Sequence, residues 1–285
     1  MPMTAAILEY KTDRCGLADL IIERLDAARD DLQAQFVASE PDIGYFYIDD
    51  VLPTEVASAI YAAFPAPETM TLKNSLRERK LIAAQMNRYN PILEEAIYAF
   101  QDERIVIALR GICGMISAYP DENLYAGGIS MMTEGHFLNP HIDNSHDKDR
   151  DRWRVLNLLY YVSPDWGLAN GGNLELWPNG LEAPAITIES KFNRLVVMAT
   201  HGRSLHSVSP IRVDRARCCV SNYYFSDEPL RDDDEFHVTS FRGRPEQPMR
   251  DTLLRADAAA RGMVRKLFPK GVRENPHVYK RDEPQ

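Results

Sequence analysis

The chain has 285 residues, 45% of them hydrophobic, with 33 basic against 42 acidic side chains and a net charge of −9; this ordinary globular composition excludes collagen, coiled coil and disorder. The negative balance argues against a nucleic-acid or anionic-membrane partner, since either needs a basic face. Charge is uneven: positions 240–285 carry 11 Lys and Arg against 6 Asp and Glu, read as a basic tail or, more simply, a solvated charged helix.

Residues 1–8 lack a basic start and a long apolar stretch, so no secretory signal is expected, and nowhere do 18 apolar residues run together to span a membrane. The four cysteines (Cys15, Cys113, Cys218, Cys219) have no C-x-x-C spacing, which points to a reduced, cytoplasmic protein without a thiolate zinc site. Apolar side chains at Leu17, Leu20, Ile21, Leu25, Ala28, Leu32 and Phe36 predict one amphipathic packing helix over 17–38. A short strand follows at 45–48, then a helix starting at Pro53-Thr54-Glu55 and stopping before Pro65, then a helix over 92–117 broken near Gly111. From Leu124 the pattern changes to short β-rich runs at 124–133, 136–143, 153–163, 172–177, 185–190, 193–200, 205–211 and 216–225. Such a series predicts a sandwich, jelly roll or barrel. Past Pro229 an acidic loop, Asp232 to Glu235, leads to a helix around 248–268.

Seven histidines occur, and His141-Ile142-Asp143 stands out. On a strand, residues i and i+2 share a face, so an imidazole and a carboxylate converge. A histidine from another strand would complete the two-His, one-carboxylate triad that leaves three positions open on a non-heme iron. H-x-D alone is a weak signal, and its company is Leu205-His206-Ser207-Val208-Ser209-Pro210, Arg217, and the run Val220 to Phe225.

With these blocks the sequence resembles the Fe(II)/2-oxoglutarate-dependent dioxygenases, in particular their prolyl-hydroxylase-like branch. The resemblance runs through His141-Ile142-Asp143-Asn144, Asn157 to Val162, Asp165-Trp166, Gly171-Gly172-x-Leu174-x-Leu176-x-Pro178, Phe192-x-Arg194-Leu195-Val196 and the His206 and Arg217 segments. It covers about 125–228. The flanks match loosely and are where substrate choice is expected. The implied fold is α+β: a double-stranded β-helix (jelly-roll) core with N-terminal helices packed on it and a C-terminal helical extension. One domain is expected over 1–285, with a mainly helical part at 1–120, the catalytic core at 121–228 and the extension at 229–285.

Carried over residue by residue, the resemblance makes His141, Asp143 and His206 the iron ligands. It also implies a basic residue pairing with the C5 carboxylate of 2-oxoglutarate, a role suited to a guanidinium because a buried carboxylate needs a partner. Arg212, Arg215 and Arg217 compete; Arg217 is favoured because it stands seven residues before Tyr224, at the cost of a longer loop from His206, and Arg215 is second. The Tyr161 hydroxyl is expected against the same carboxylate, with Asn157 on the same face, although Tyr160 and Tyr161 also read as plain strand aromatics. Cys219 stands where many relatives have serine. His136 and His146 are read as rim or substrate-facing, His201 as a loop residue, and His237 and His277 as outside the core. The charged run 147–152 is a solvated loop or an active-site cover.

The implied activity needs Fe(II), 2-oxoglutarate and O2, with ascorbate a candidate reductant, and hydroxylates an unactivated C–H with release of succinate and CO2. Asp143 favours hydroxylation over halogenation. The expected substrate is a small molecule (amino acid derivative, natural-product intermediate or glycan precursor), ahead of a prolyl or other protein residue. Arg242, Arg244, Arg250 and Arg255 are candidates to meet an anionic one. Non-catalytic jelly-roll binding and a hydrolytic zinc site are the rival classes, and a homodimer through the N-terminal helices stays open.

Overall fold

The computed structural model describes residues 10–267 and 278–280. The first helix, α1 (Arg14–Ala27), starts where the Asp13 carboxylate accepts the Gly16 N–H at 2.8 Å, a cap that satisfies one of the exposed donors of the first turn. The apolar stripe expected on one helix is carried by two. Ala28 leaves helical geometry (φ −114°, ψ 7°), and α2 (Arg29–Ser39) restarts with Asp30 and Asp31 in its first turn, where negative charge favours a helix start. Strand β1 (Tyr45–Asp49) and α3 (Thr54–Ala62) follow as expected.

The stretch 92–117 breaks earlier than predicted. Helix α4 (Pro91–Ala99) is capped by Asn90 with Pro91 in its first turn, and α5 (Glu103–Ile112) by Asp102, whose carboxylate accepts the Arg104 N–H at 3.0 Å. Gly111 lies inside α5, so the break belongs to the capping aspartate rather than to the glycine.

Two strands with no predicted counterpart, β2 (Thr71–Asn74) and β3 (Glu78–Ala83), form a hairpin. The expected β-rich runs become β5 (Gly128–Met132), β6 (Phe137–Ile142), β7 (Trp153–Tyr161), β8 (Leu174–Leu176), β9 (Ile186–Ile188), β10 (Arg194–Ala199), β11 (His206–Val208) and β12 (Arg217–Ser226), with a short β4 (Tyr119–Pro120) before them. Every pairing is antiparallel, in the order β1-β10-β7-β12-β5-β3-β6-β11-β8-β9. The sheet curls on itself as a jelly roll. After it, β13 (Ser240–Phe241) adds to β6 and α6 (Pro248–Leu267) runs beyond.

Alternation along β7 decides what faces what. Leu156, Leu158 and Tyr160 turn to the helical layer, where Leu17, Ile21, Leu25, Ile60, Ile97 and Leu109 are fully or almost fully buried, each worth roughly 1.5–3 kcal/mol. Asn157, Leu159 and Tyr161 turn to the inside of the curl. The buried Tyr160 hydroxyl donates to Asn193 Oδ1 at 2.7 Å and that of Tyr224 to the Phe100 carbonyl at 2.6 Å, so neither core tyrosine strands a polar group. Tyr279, also buried, donates to Glu94 at 3.1 Å and through its N–H to the Asn123 carbonyl at 2.7 Å, fastening residues 278–280 to the helical layer. Among the described residues no helix is long and apolar enough to cross a membrane. The early residues 1–8 and His277 lie outside the described residues.

Candidate active site

Strands β6 and β11 pair with His141 opposite His206, which sets the two imidazoles 4.1 Å apart between ring centroids. Asp143 follows the end of β6. One ligand atom from each of the three lies within 4.8 Å of the others. The Nδ1 atoms of His141 and His206 contact the carbonyls of Asn139 at 3.0 Å and Ser204 at 2.9 Å. A carbonyl only accepts, so each Nδ1 carries the proton and each Nε2 presents its lone pair. Those Nε2 atoms stand 3.6 and 3.8 Å from the Asp143 carboxylate. Burial, with His141 alongside, pushes His206 down to about 4, leaving a neutral donor at neutral pH. Burial also pushes the Asp143 carboxyl up, but the Arg154 guanidinium, together with His141 and His206 whenever these are protonated, outweighs it and holds the group below the usual carboxylate range; with neutral imidazoles Arg154 is the neighbouring cation that remains. Asp143 Oδ2 has no hydrogen-bond partner.

Arg154 was not anticipated. Leu156 pairs with Tyr224 and Arg154 with Phe225, so Val155 is an extra residue on β7, a bulge. Bulges re-aim side chains, and this one sends a buried guanidinium to within 3.6 Å of Asp143 and over the Tyr223 ring at 4.4 Å. No residue-type signal announces a bulge. Phe241, brought by β13, stacks on His141 with centroids 5.0 Å apart.

The triad lies in a cavity of about 350 Å³ that Asn157, Tyr161 and Arg217 also line. Arg217 is 4% exposed, its Nη2 only reaches Met132 Sδ at 3.0 Å, and its Nε has no partner. The Tyr161 hydroxyl and Asn157 Oδ1 are likewise without hydrogen-bond partners, and burial pushes the Tyr161 phenol well above its ordinary range, keeping it a neutral donor. Of the three competing arginines only Arg217 lines the cavity. Arg215 is exposed and donates to the carbonyls of Pro164 and Asp165 at 2.5 and 3.1 Å, and Arg212 is exposed as well. A Cβ on Gly172 (φ +69°) would stand 2.4 Å from Ile211 Cδ1 and 3.1 Å from Arg217 Cδ, so this glycine makes the room in which Arg217 lies.

His136 and His146 do not line the cavity, which corrects their reading as rim residues. His136 is buried beside Thr133, and His146 packs on the Trp153 ring at 4.2 Å. His201 is a buried loop residue contacting the Ile43 carbonyl at 2.9 Å, and His237 sits in the loop before β13. Residues 147–152 form a largely exposed loop that does not line the cavity. Arg242 and Arg244 are engaged within the protein, with Asp251 at 2.6 Å and Glu175 at 2.7 Å.

The family model described as the 2OG-Fe(II) oxygenase superfamily matches residues 127–225. That match runs from β5 to β12 and takes in His141, Asp143 and His206. Among curated proteins, Egl nine homolog 1 of Rattus norvegicus and of Homo sapiens are each 33% identical over 92 residues, 32% of this chain. Those residues are 25% and 20% of the relatives, so the match spans a quarter of their length or less. Similar solved structures include a Pseudomonas putida prolyl-4-hydroxylase (19% identical, TM-score 0.47, covering 68% of this chain and 98% of that one). Another is a Trichoplax adhaerens prolyl hydroxylase in complex with a hypoxia inducible factor oxygen degradation domain peptide fragment (18%, 0.49, 70% and 91%). Both likenesses are distant, and the site is read from its own geometry.

Fe(II), 2-oxoglutarate and O2 are the requirements of the superfamily that this model describes. The residues present fit them. Three buried ligand atoms converge with one carboxylate oxygen unpartnered, as a divalent cation needs. In the same cavity a guanidinium N–H and a phenolic O–H are unpartnered, as a carboxylate needs.

Proposed function

We propose that this protein is an Fe(II)- and 2-oxoglutarate-dependent hydroxylase acting on an unactivated C–H of a small molecule, with succinate and CO2 as co-products. The observation that carries it is the shared cavity: the His141, Asp143 and His206 cluster and the unpartnered Arg217 and Tyr161 donors line the same space. A hydrolytic zinc centre or a binding jelly roll gives no reason for those donors, because a buried cation without a counter-charge is costly.

In this reading His141, Asp143 and His206 hold the iron, and Arg217 with Tyr161 receives the distal carboxylate of 2-oxoglutarate. Asn157 faces the same space as a further polar contact. Bound iron with 2-oxoglutarate and dioxygen supplies the oxidising power that side chains lack. The chain's own part is orientation and exclusion of water. Arg154 keeps Asp143 ionised, the carbonyls of Asn139 and Ser204 fix the imidazole tautomers, and Leu159, Leu174 and Val208 give the cavity apolar walls. The substrate is read as an amino acid derivative, natural-product intermediate or glycan precursor, ahead of a prolyl or other protein residue.

The test is anaerobic titration with Fe(II) and 2-oxoglutarate, reading the visible metal-to-ligand charge-transfer band. The band is expected in the wild type, absent in His141→Ala, and in Arg217→Ala to need about 10²-fold more 2-oxoglutarate, the loss of a charge-assisted pair. An iron-loaded wild type without the band would overturn the reading in favour of a zinc site or a binding jelly roll.

A further inference from the structure

Part of the cavity wall is built by the two segments outside the superfamily match, one of which also brings Phe241 onto His141. The β2–β3 hairpin supplies Arg77, Glu78 and Lys80, and the C-terminal segment supplies Thr239 and Arg261. Charged lining side chains other than histidine are four cations, Arg77, Lys80, Arg217 and Arg261, against two anions, Glu78 and Asp143. Arg217 and Asp143 are assigned above to the co-substrate and the metal. Of the rest, Glu78 pairs with Lys80 at 3.0 Å. Asp257 lies between Arg77 at 2.6 Å and Arg261 at 3.0 Å.

One carboxylate shared by two guanidiniums leaves a surplus positive charge on this wall, in a protein whose net charge is −9. Arg261 donates through Nε to Asp257 and through Nη1 to the Thr239 carbonyl at 2.7 Å. Its Nη2 is buried, 3.0 Å from the same Asp257 oxygen but in no hydrogen bond. Burial, with the Arg77 charge nearby, lowers the Arg261 pKa, so an incoming negative charge would relieve the strain. The arginines singled out from the sequence do not share this position: Arg242 and Arg244 are paired internally, and none of Arg242, Arg244, Arg250 and Arg255 lines the cavity.

We propose that this wall docks an anionic group, a carboxylate or a phosphate, on the small-molecule substrate, with Arg261 as the main contact and Arg77 and Lys80 beside it. The proposal rests on the oxygenase reading, which supplies the reacting centre in the same cavity. A charged group held by the wall while a C–H is presented to the cluster is the positioning that a regioselective oxidation requires.

The experiment titrates anaerobic protein holding Fe(II) and 2-oxoglutarate with two matched pairs of probes. These are N-acetyl amino acids against their primary amides, and glucose 6-phosphate against glucose, read by calorimetry and by perturbation of the charge-transfer band. The anion of at least one pair is expected to bind about ten-fold tighter than its neutral partner, with the advantage falling as ionic strength rises. The advantage is expected to shrink to about two-fold in Arg261→Gln, to fall in Lys80→Gln, and to be kept in Arg261→Lys, which separates lost charge from lost structure. The responding pair tells carboxylate from phosphate. Neutral and anionic partners binding alike, neither anion binding, or an advantage that survives Arg261→Gln and Lys80→Gln in folded protein would each overturn the proposal while leaving the oxygenase reading intact. A wild type without the band would overturn the oxygenase reading instead.

Discussion

Arg154 shows how one side chain sets the chemistry of another. Its guanidinium is buried 3.6 Å from Asp143 Oδ2, and replacing it by methionine keeps much of the volume while removing the charge that helps hold the carboxylate ionised. Fe(II) affinity is expected to fall about 10–100-fold in Arg154→Met, the usual cost of losing a partner of a metal ligand, measured by competition with a chelator at constant 2-oxoglutarate. Histidine burial gives a pH dependence with a definite sign. His206 is pushed down to about 4 by burial and His201 is lowered by burial too, while an unfolded histidine titrates near about 6.5. As pH falls below that value, the unfolded chain takes up protons that the folded metal-free protein refuses. Stability is therefore lost between about 6.5 and 4, by roughly 3 kcal/mol for His206 alone. Urea midpoints of metal-free protein across that window check it; a flat profile would mean His206 is not held neutral. The H-x-D pair and His206 were legible from residue types and strand parity. Arg154 was not, because a bulge is a backbone event.

At the level of elements, each of the eight β-rich runs after Leu124 holds one strand, because turn residues separate them, yet the runs overreach: β5 is only Gly128–Met132 of 124–133 and β11 only His206–Val208 of 205–211. The β2–β3 hairpin escaped notice because Lys73, Arg77, Glu78, Arg79 and Lys80 hide any apolar alternation in strands that lie partly exposed. The helix over 17–38 was legible as a buried stripe, yet the stripe continues across Ala28 and so conceals the break. After β13, Arg244 reaches back to the outer side of the His206 strand. It is 7% exposed, donates to Glu175 at 2.7 Å and to the Val208 carbonyl at 2.9 Å, while Glu175 also accepts the Ser207 hydroxyl at 2.6 Å. Arg244→Met leaves a largely buried carboxylate without its counter-ion and is expected to destabilise by about 3–5 kcal/mol. Arg244→Met with Glu175→Gln is expected to cost less than Arg244→Met alone, a comparison that urea denaturation of both variants makes.

Over the whole molecule, described segments on either side of the strand core pack onto it. The hairpin and α6 meet across Asp257, and Tyr279 is sealed against the helical layer. Tyr279→Ala is expected to cost roughly 3 kcal/mol, as for other large-to-small aromatic changes, visible as a lower thermal midpoint. The strand runs alone left sandwich, jelly roll and barrel open, and it was the resemblance carried by the H-x-D, His206 and Arg217 blocks that pointed to the jelly roll. The meeting of the flanks was not legible, since it depends on contacts between residues as distant as Arg77 and Asp257.

The place of β12 in the sheet governs how the protein comes into being. This strand lies between β7 and β5 and also pairs with β4, yet it is made from residues 217–226, after all three members of the triad have been synthesised. A nascent chain ending near residue 210 already owns His141, Asp143 and His206, but it lacks the strand that joins β7 to β5 and Arg217, which that strand carries. Pairings this distant in sequence form slowly, so a ribosome-bound chain has ligands without a pocket. A chain cut short before β12 is therefore expected to keep the three cluster residues while losing the strand, and with it Arg217, that completes their cavity.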